Sequence, residues 1–164
     1  MRELTEELFR YSVIAVTADE LHFEPLYLNN ILEESPAGSF GMLNKHGIVP
    51  NIEISERQII RTLDRQALRR IFDNILSNVA KYSDGDLTVR LLSDGTVLFE
   101  NCAKELDTVQ TANLFDRFFT MSTARGGTGL GLSIAKLLTE RMNGHITAEY
   151  RKGKLSIYVL FSDF

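Results

Sequence analysis

One amphipathic helix constrains the fold of this chain more than any other feature. Asp64 is a good helix N-cap, because its side chain accepts a hydrogen bond from an unpaired backbone N–H. Apolar residues then recur at three- and four-residue spacing, which puts them on one face of a helix: Leu68, Ile71, Phe72, Ile75, Leu76 and Val79. A helix of this kind has to bury that face, so the fold needs a second layer for it to pack on.

Strand patterns before and after this helix supply the second layer. We predict strands over residues 21–23, 48–55, 58–63, 87–92, 97–101, 146–150 and 155–161. Asp94-Gly95 predicts a tight hairpin turn between two of them, and Lys152-Gly153-Lys154 predicts another near the end.

Helices are predicted over residues 1–17, 26–45 and 126–144 as well. Pro36 and Gly38 should bend or interrupt the second of these, and Gly144 should end the third. Residues 102–126 are predicted to be irregular apart from an aromatic cluster. The predicted fold class is therefore α/β, a two-layer sandwich with a mixed, mostly antiparallel sheet and helices on one face.

Composition excludes several classes of function. The net charge of −4 argues against general nucleic-acid binding. No apolar run is long enough to span a bilayer, and no signal peptide is recognisable. Cys102 is the single cysteine, so it cannot form an internal disulfide, and it fits a reducing compartment. His22, His46 and His145 lack metal-ligand spacing and are predicted to be ordinary surface or edge residues.

Glycines crowd the start of the helix predicted over residues 126–144. Gly127, Gly129 and Gly131 leave backbone N–H groups accessible where the helix begins, which is typical of a phosphate site. A Walker loop is excluded, because Leu132 and Ser133 follow Gly131 without the required lysine. A dinucleotide fingerprint is excluded too, because Leu132 stands where the third glycine belongs.

Polar residues line one flank of the first helix. Asn74, Asn78 and Lys81 cluster beside the apolar stripe, and Tyr82 lies at its edge. An asparagine oxygen can ligate Mg²⁺, a lysine can neutralise phosphate, and a tyrosine can stack on a base. Taken alone, these residues are better interpreted as a solvated polar face. Their occurrence together with the glycine-led helix favours a nucleotide site.

Three segments together resemble a known family. Residues 74–83 resemble the N box of sensor histidine kinases, residues 114–119 the F box, and residues 127–132 the second glycine box, in family order. The chain is therefore similar to the catalytic and ATP-binding domain of a bacterial sensor histidine kinase. The same superfamily contains DNA gyrase, a large heat-shock ATPase chaperone and a mismatch-repair ATPase. The resemblance implies a Bergerat-type ATP-binding fold, with ATP and Mg²⁺ as cofactors.

The resemblance assigns roles to residues of this chain. Asn74, Asn78 and Lys81 are the implied catalytic residues, with Asn78 as the Mg²⁺ ligand and Lys81 at the phosphates. Tyr82 would pack on the adenine. Asn74 stands where hydrolytic members place a water-activating glutamate, and an amide cannot accept that proton, which favours phosphoryl transfer over rapid hydrolysis.

The glycine box and the F box complete the implied site. The phosphates would be held by the backbone of Gly127, Thr128, Gly129, Leu130, Gly131 and Leu132. Arg117 is either a phosphate contact or part of a structural ion pair. Phe115, Phe118 and Phe119 are expected in the core or as anchors of the lid.

Two departures from the family pattern affect the implied site. Val97, Phe99 and Asn101 are predicted to alternate inward, so Asn101 takes the place of the aspartate that accepts a hydrogen bond from adenine. The glycines of the first glycine box are absent after it. A neutral acceptor in place of a charged one should lower ATP affinity on the order of tenfold. The lid is short, over residues 121–126, and is either a plain linker or a lid that closes through Ser122, Thr123 and Arg125.

The resemblance also implies a larger parent protein. Residues 1–17 are predicted to be the tail of the preceding dimerisation and phosphoacceptor helix, and residues 18–164 the ATP-binding catalytic domain. His22 lacks the neighbours of a phosphoacceptor histidine. We therefore expect a monomeric cytoplasmic fragment of a membrane-bound homodimer. Its partners would be the acceptor helix of the parent and the receiver domain of a response regulator, with no nucleic acid.

Three alternatives stay open at this point. A degenerate docking module of the same fold is favoured by the altered first glycine box. A serine kinase acting on a sigma-factor antagonist is disfavoured by Asn74, Lys81 and Tyr82. A hydrolytic ATPase of the gyrase or chaperone type is disfavoured by the missing glutamate.

Overall fold

The computed structural model describes residues 21–38, 40–116 and 131–162. In chain order its elements are β1 (Glu24–Tyr27), α1 (Leu28–Gly38), α2 (Phe40–Lys45), β2 (Asn51–Ile54), β3 (Ile60–Leu63), α3 (Arg65–Tyr82), β4 (Thr88–Leu91), β5 (Val97–Cys102), α4 (Thr108–Ala112), α5 (Gly131–Arg141), β6 (Gly144–Arg151) and β7 (Lys154–Phe161). The helix predicted over residues 1–17 lies outside the described residues.

In the described residues, the main sheet has five strands in the order β2-β4-β5-β7-β6. Among the described strands of this sheet, β2 and β4 pair in parallel and the other neighbours pair antiparallel. One sheet face is buried under the helices, where Phe72 of α3 and Phe99 of β5 place their ring centroids 5.5 Å apart. The opposite face carries ion pairs such as Arg90–Glu53. The predicted mixed, mostly antiparallel two-layer sandwich is confirmed.

Helix α3 forms as the sequence predicts. Asp64 caps it by accepting a hydrogen bond from the Ala67 N–H at 2.8 Å. The other Asp64 carboxylate oxygen accepts from the His22 N–H at 2.8 Å, so the same side chain also holds the segment leading into β1. All six residues of the predicted apolar stripe are buried.

Both predicted hairpin turns are present. Gly95 has a φ of +92° and Gly153 one of +77°, a region that glycine adopts without steric cost. Hydrogen bonds from Thr96 hold the pKa of Asp94 below its ordinary value. The buried Arg61 donates to the Asp94 carbonyl at 3.1 Å and to the Phe161 carbonyl at 3.2 Å, which ties this turn to the end of β7.

Two predicted boundaries were wrong at the start of the described chain. The first strand begins at Glu24, later than predicted, because residues 24–27 pair with β3 in a separate two-stranded ribbon. That pairing delays the following helix to Leu28. Helix α1 runs through Pro36 to Gly38 and α2 begins at Phe40, while residue 39 lies outside the described residues, so the predicted interruption stays a prediction.

Two further corrections concern the C-terminal half. Residues 108–112 were predicted to be irregular but form α4, which Asp107 and Gln110 start with a reciprocal capping box. Gly144 was predicted to end the glycine-led helix, but α5 ends at Arg141 and Gly144 begins β6. Asn143 takes the left-handed position instead, with a φ of 60°.

We expect Asp64→Ala to lower the free energy of unfolding by about 1–3 kcal/mol, because two N–H groups lose their acceptor. The midpoint of urea unfolding at unchanged slope measures this loss. Asp107→Ala is the matched control, since Asp107 also caps a helix but is exposed on the five-residue α4. An equal loss in both variants would contradict the double role of Asp64.

Candidate functional site

A half-buried polar stripe runs along α3 beside its buried apolar face. Arg70, Asn74, Asn78 and Lys81 are all partly exposed, at spacings of four, four and three residues. At 100° per residue they lie on one side of the helix. Sequence reasoning named the last three and missed Arg70, although its position one turn before Asn74 was a readable signal.

Asn74 meets the start of α5. Gly131 is the first described residue of that helix, and a Cβ added to it would lie 3.8 Å from the Asn74 Oδ1. The two segments that the sequence singled out are therefore adjacent at this point. Leu132 is buried behind it, whereas Gly127, Thr128, Gly129, Leu130 and Arg117 lie outside the described residues.

The Asn74 side chain is suited to a ligand with acceptor oxygens. Its Nδ2 atom is buried and has no hydrogen-bond partner in the part of the chain that the structure describes. An unpaired buried donor costs about 1–3 kcal/mol, and native proteins rarely leave one unsatisfied. A phosphate oxygen beside the start of α5 would satisfy it, and the dipole of that helix favours negative charge at the same place.

A cavity of about 490 Å³ opens between α3 and α5 at this junction. It is lined by Gln66, Arg69, Arg70, Asp73, Asn74, Gly131 and Ile134. Arg69 pairs with Glu34 at 2.6 Å, an ion pair with both side chains about half exposed. The cavity has the size of a small-molecule site, with two guanidinium groups on its wall.

Asn101 lies at the end of β5, near the other end of α3. Val97, Phe99 and Asn101 are each at most 2% exposed, so the predicted inward alternation is confirmed. The Asp84 N–H donates to the Cys102 carbonyl at 2.8 Å, which joins the residues after α3 to the end of β5. Tyr82, the last residue of α3, is buried.

Cys102, next to Asn101, is partly buried beside Asp86. Burial raises the pKa of the Cys102 thiol, and the Asp86 carboxylate raises that pKa further. The thiol is therefore protonated at neutral pH, a poor state for a nucleophile or a metal ligand.

Other candidate residues lie apart from this junction. Leu114 of the F box is buried and Phe115 packs against the core, as predicted, while Phe118, Phe119 and the lid over residues 121–126 fall outside the described residues. His22, His46 and His145 are exposed.

Within the described ranges, no three His, Cys, Asp or Glu side chains come together as a metal site. Among the same residues, no helix combines the length and the apolar character needed to cross a membrane.

Comparison with known proteins places the candidate site inside a family match. Residues 63–163 match the family described as histidine kinase-, DNA gyrase B-, and HSP90-like ATPase. That range contains α3, β5 and α5, and therefore every described residue of the junction and of the β5 end.

Individual relatives agree with this match. The sensor protein kinase WalK of Staphylococcus aureus is 27% identical over 176 aligned residues, which cover 97% of this chain and 41% of that protein. The chain thus spans less than half the length of the curated relatives it matches.

Solved structures share the fold. The Acinetobacter baumannii histidine kinase AdeS aligns with a TM-score of 0.76 at 19% identity, covering 96% of this chain and 76% of that one. Full-length ShkA, solved in complex with AMPPNP, aligns with a TM-score of 0.78 at 20% identity, covering 95% of this chain and 34% of that one.

We expect Gly131→Ala to raise the free energy of unfolding by about 0.4–1 kcal/mol, because the new methyl group meets only an ordinary contact at Asn74. Gly144→Ala should instead be strongly destabilising, since its Cβ would lie 2.6 Å from the Phe161 ring. Thermal unfolding of both variants measures the difference. If Gly131→Ala were destabilised instead, the space beside Gly131 would be filled by packed atoms and would not be open to a ligand.

Proposed function

This chain belongs to the family of histidine kinase-, DNA gyrase B- and HSP90-like ATPases and has the catalytic ATP-binding domain of sensor histidine kinases, and we propose that it transfers the γ-phosphoryl group of ATP to a histidine on a separate dimerisation domain. The observation that carries this proposal is the buried Nδ2 of Asn74 beside Gly131, which has no hydrogen-bond partner among the described residues. It supports a site built for phosphate oxygens.

The adenine base and the phosphates of bound ATP would lie along α3. Tyr82 and Asn74 are eight residues apart on that helix, which corresponds to about 12 Å along its axis. We assign the adenine to Asn101 and Tyr82, and the phosphates to Asn74, Lys81 and the backbone of residues 127–132. Arg117 is kept as a further proposed phosphate contact.

Asn78 is the proposed ligand of Mg²⁺. Its amide lies one turn beyond Asn74 on the same half-buried stripe and makes no hydrogen bond within the part of the chain that is described. An amide oxygen suits this hard cation, which commonly shares its coordination shell with phosphate oxygens. Bound Mg²⁺ would supply neutralisation of the phosphate charge.

The protein's own contribution would be positioning and charge stabilisation. Lys81 offsets phosphate charge, and the N–H groups at the start of α5 donate to phosphate oxygens. Asn74 holds a phosphate oxygen without acting as a base, because an amide cannot take a proton from water near neutral pH. The γ-phosphoryl group is then more readily passed to a histidine than to water.

The proposal extends to partners and location. The relatives named sensor protein kinases support an acceptor histidine on a dimerisation helix, of which residues 1–17 would be the tail, with residues 18–164 as the catalytic domain. They support a response-regulator receiver domain as the next acceptor. The parent would be a membrane-bound homodimer with this domain in the cytoplasm.

A docking module without catalysis is the second candidate. It is favoured by Ala103 and Glu105, which stand where the first glycine box would place glycines. Nucleotide binding separates the two candidates.

We expect Asn78→Ala to remove the Mg²⁺-dependent part of ATP binding, because the variant loses its proposed metal ligand. Titration with a fluorescent ATP analogue, with and without Mg²⁺, measures this loss. Asn30→Ala is the matched control, an exposed asparagine on α1, and should bind like the parent chain. The Gly131→Ala variant, which is expected to be stable, should also bind the ATP analogue more weakly than the parent chain.

The outcome that would reject the kinase proposal is equally specific. No binding by the parent chain at millimolar nucleotide would favour the docking module. Binding that Asn78→Ala leaves unchanged would place the metal elsewhere.

We also expect the chain to bind ATP without labelling its own histidines, since His22, His46 and His145 are exposed residues outside the proposed site. Incubation with γ-labelled ATP and detection of acid-labile phosphohistidine tests this. A labelled histidine on this chain would overturn the assignment of the acceptor to a separate domain.

A further inference from the structure

The segment that follows β5 is held in one conformation by two carboxylates. The Cys102 N–H donates to the Asp86 Oδ1 at 2.7 Å, and the Lys104 N–H donates to the Asp84 Oδ2 at 2.8 Å. The Asp84 N–H donates in return to the Cys102 carbonyl at 2.8 Å. We call these four residues, Asp84, Asp86, Cys102 and Lys104, the β5 clamp.

The clamp is itself fixed from both sides. Ser83 Oγ accepts from the N–H groups of Gly85 and Asp86, both at 3.0 Å, and so shapes the turn that carries the two carboxylates. On the far side, the Ala103 N–H donates to the Gly153 carbonyl at 2.9 Å, and Tyr150 donates to the Ala103 carbonyl at 3.0 Å. Hydrogen bonds to a carboxylate are about twice as strong as neutral ones, so this segment does not share the freedom of a glycine loop.

The clamp determines which atom Asn101 offers to a ligand. Asn101 Nδ2 donates to the Cys102 carbonyl at 3.0 Å, and that carbonyl also accepts from the Asp84 N–H. Its two lone pairs are therefore both used. If the Asn101 amide were flipped, its Oδ1 atom would face the Cys102 carbonyl oxygen, and the two acceptors would repel each other. The amide oxygen, which has no hydrogen bond in the described part of the chain, is left as an acceptor on a side chain only 2% exposed.

We propose that Asp84 and Asp86 are positioning residues that set the preference for adenine. Their carboxylates hold the N–H groups of Lys104 and Cys102, and so keep the Cys102 carbonyl where Asn101 Nδ2 donates to it and Asn101 presents only its acceptor oxygen. This inference rests on the proposed nucleotide site. An acceptor in this position pairs with the exocyclic amine of adenine and opposes the carbonyl oxygen of guanine. An asparagine that turned freely would accept either base.

The test is the ratio of ATP to GTP affinity of the whole chain, measured by titration. We expect the parent chain to prefer ATP, and Asp86→Ala and Asp84→Ala each to reduce the ratio by about tenfold, mainly by improving GTP relative to ATP. Asp107→Ala is the matched control. Its carboxylate also accepts a backbone N–H, from Gln110 at 2.7 Å, but belongs to α4, and the ratio should not change.

A second set of variants, made in an Asn101→Asp chain, distinguishes positioning of the residue 101 side chain from a general loss of stability. Asn101→Asp has two equivalent acceptor oxygens, so its preference for ATP should no longer depend on Asp86. Adding Asp86→Ala to Asn101→Asp should therefore leave the ratio within about twofold. A fall in that background equal to the fall in the parent would overturn the proposal.

The remaining outcomes are decisive as well. Equal loss of ATP and GTP affinity in the alanine variants would show a purely structural role and overturn the proposal. If Asp86→Ala does not fold, Asp84→Ala decides the question alone, since it removes the bond from Lys104. A parent chain that binds neither nucleotide would reject the proposed function itself, whereas selective binding with an unchanged ratio in the variants rejects only this inference.

Discussion

The packing of α3 on the sheet is the constraint on which the rest of the structure depends. Its apolar stripe is fully buried, and Phe72 packs on Phe99 in the middle of the sheet. Because the helix cannot rotate without exposing that stripe, the residues on its flank are fixed at the boundary between core and solvent. Asp64 secures the start of the helix and the segment before β1 together.

The position of the candidate site follows from this packing of α3 on the sheet. The flank of α3 is half-buried where α5 begins, so Asn74 is shielded from water without finding a partner in the described part of the fold. Amide groups, guanidinium groups and a helix start then converge on one cavity. At the other end of the helix, the carboxylates of the β5 clamp fix the backbone that follows β5. The two ends are thus built by different physical means on one rigid element.

Much of this arrangement could be predicted from the sequence. Periodicity identified α3, its cap and the inward alternation ending at Asn101, because each depends on residues close in sequence. The onset of α1 was missed because pairing with β3 decides it, and Arg70 was missed although its spacing was visible. The β5 clamp was not predictable, since Asp84 and Lys104 meet only through tertiary folding. The roles of residues 127–130 and Arg117 stay predictions.

The strand order has a consequence for how the domain is made. Strand β7, the last in the described chain, lies inside the sheet between β5 and β6. During synthesis from the N-terminus, β5 therefore presents an open edge until β7 emerges from the ribosome and pairs with it. Arg61 then donates a hydrogen bond to the carbonyl of Phe161, a hundred residues later in the chain. Completion of the sheet is consequently a late, non-local and slow event, and the nascent domain depends on it to escape edge-to-edge association.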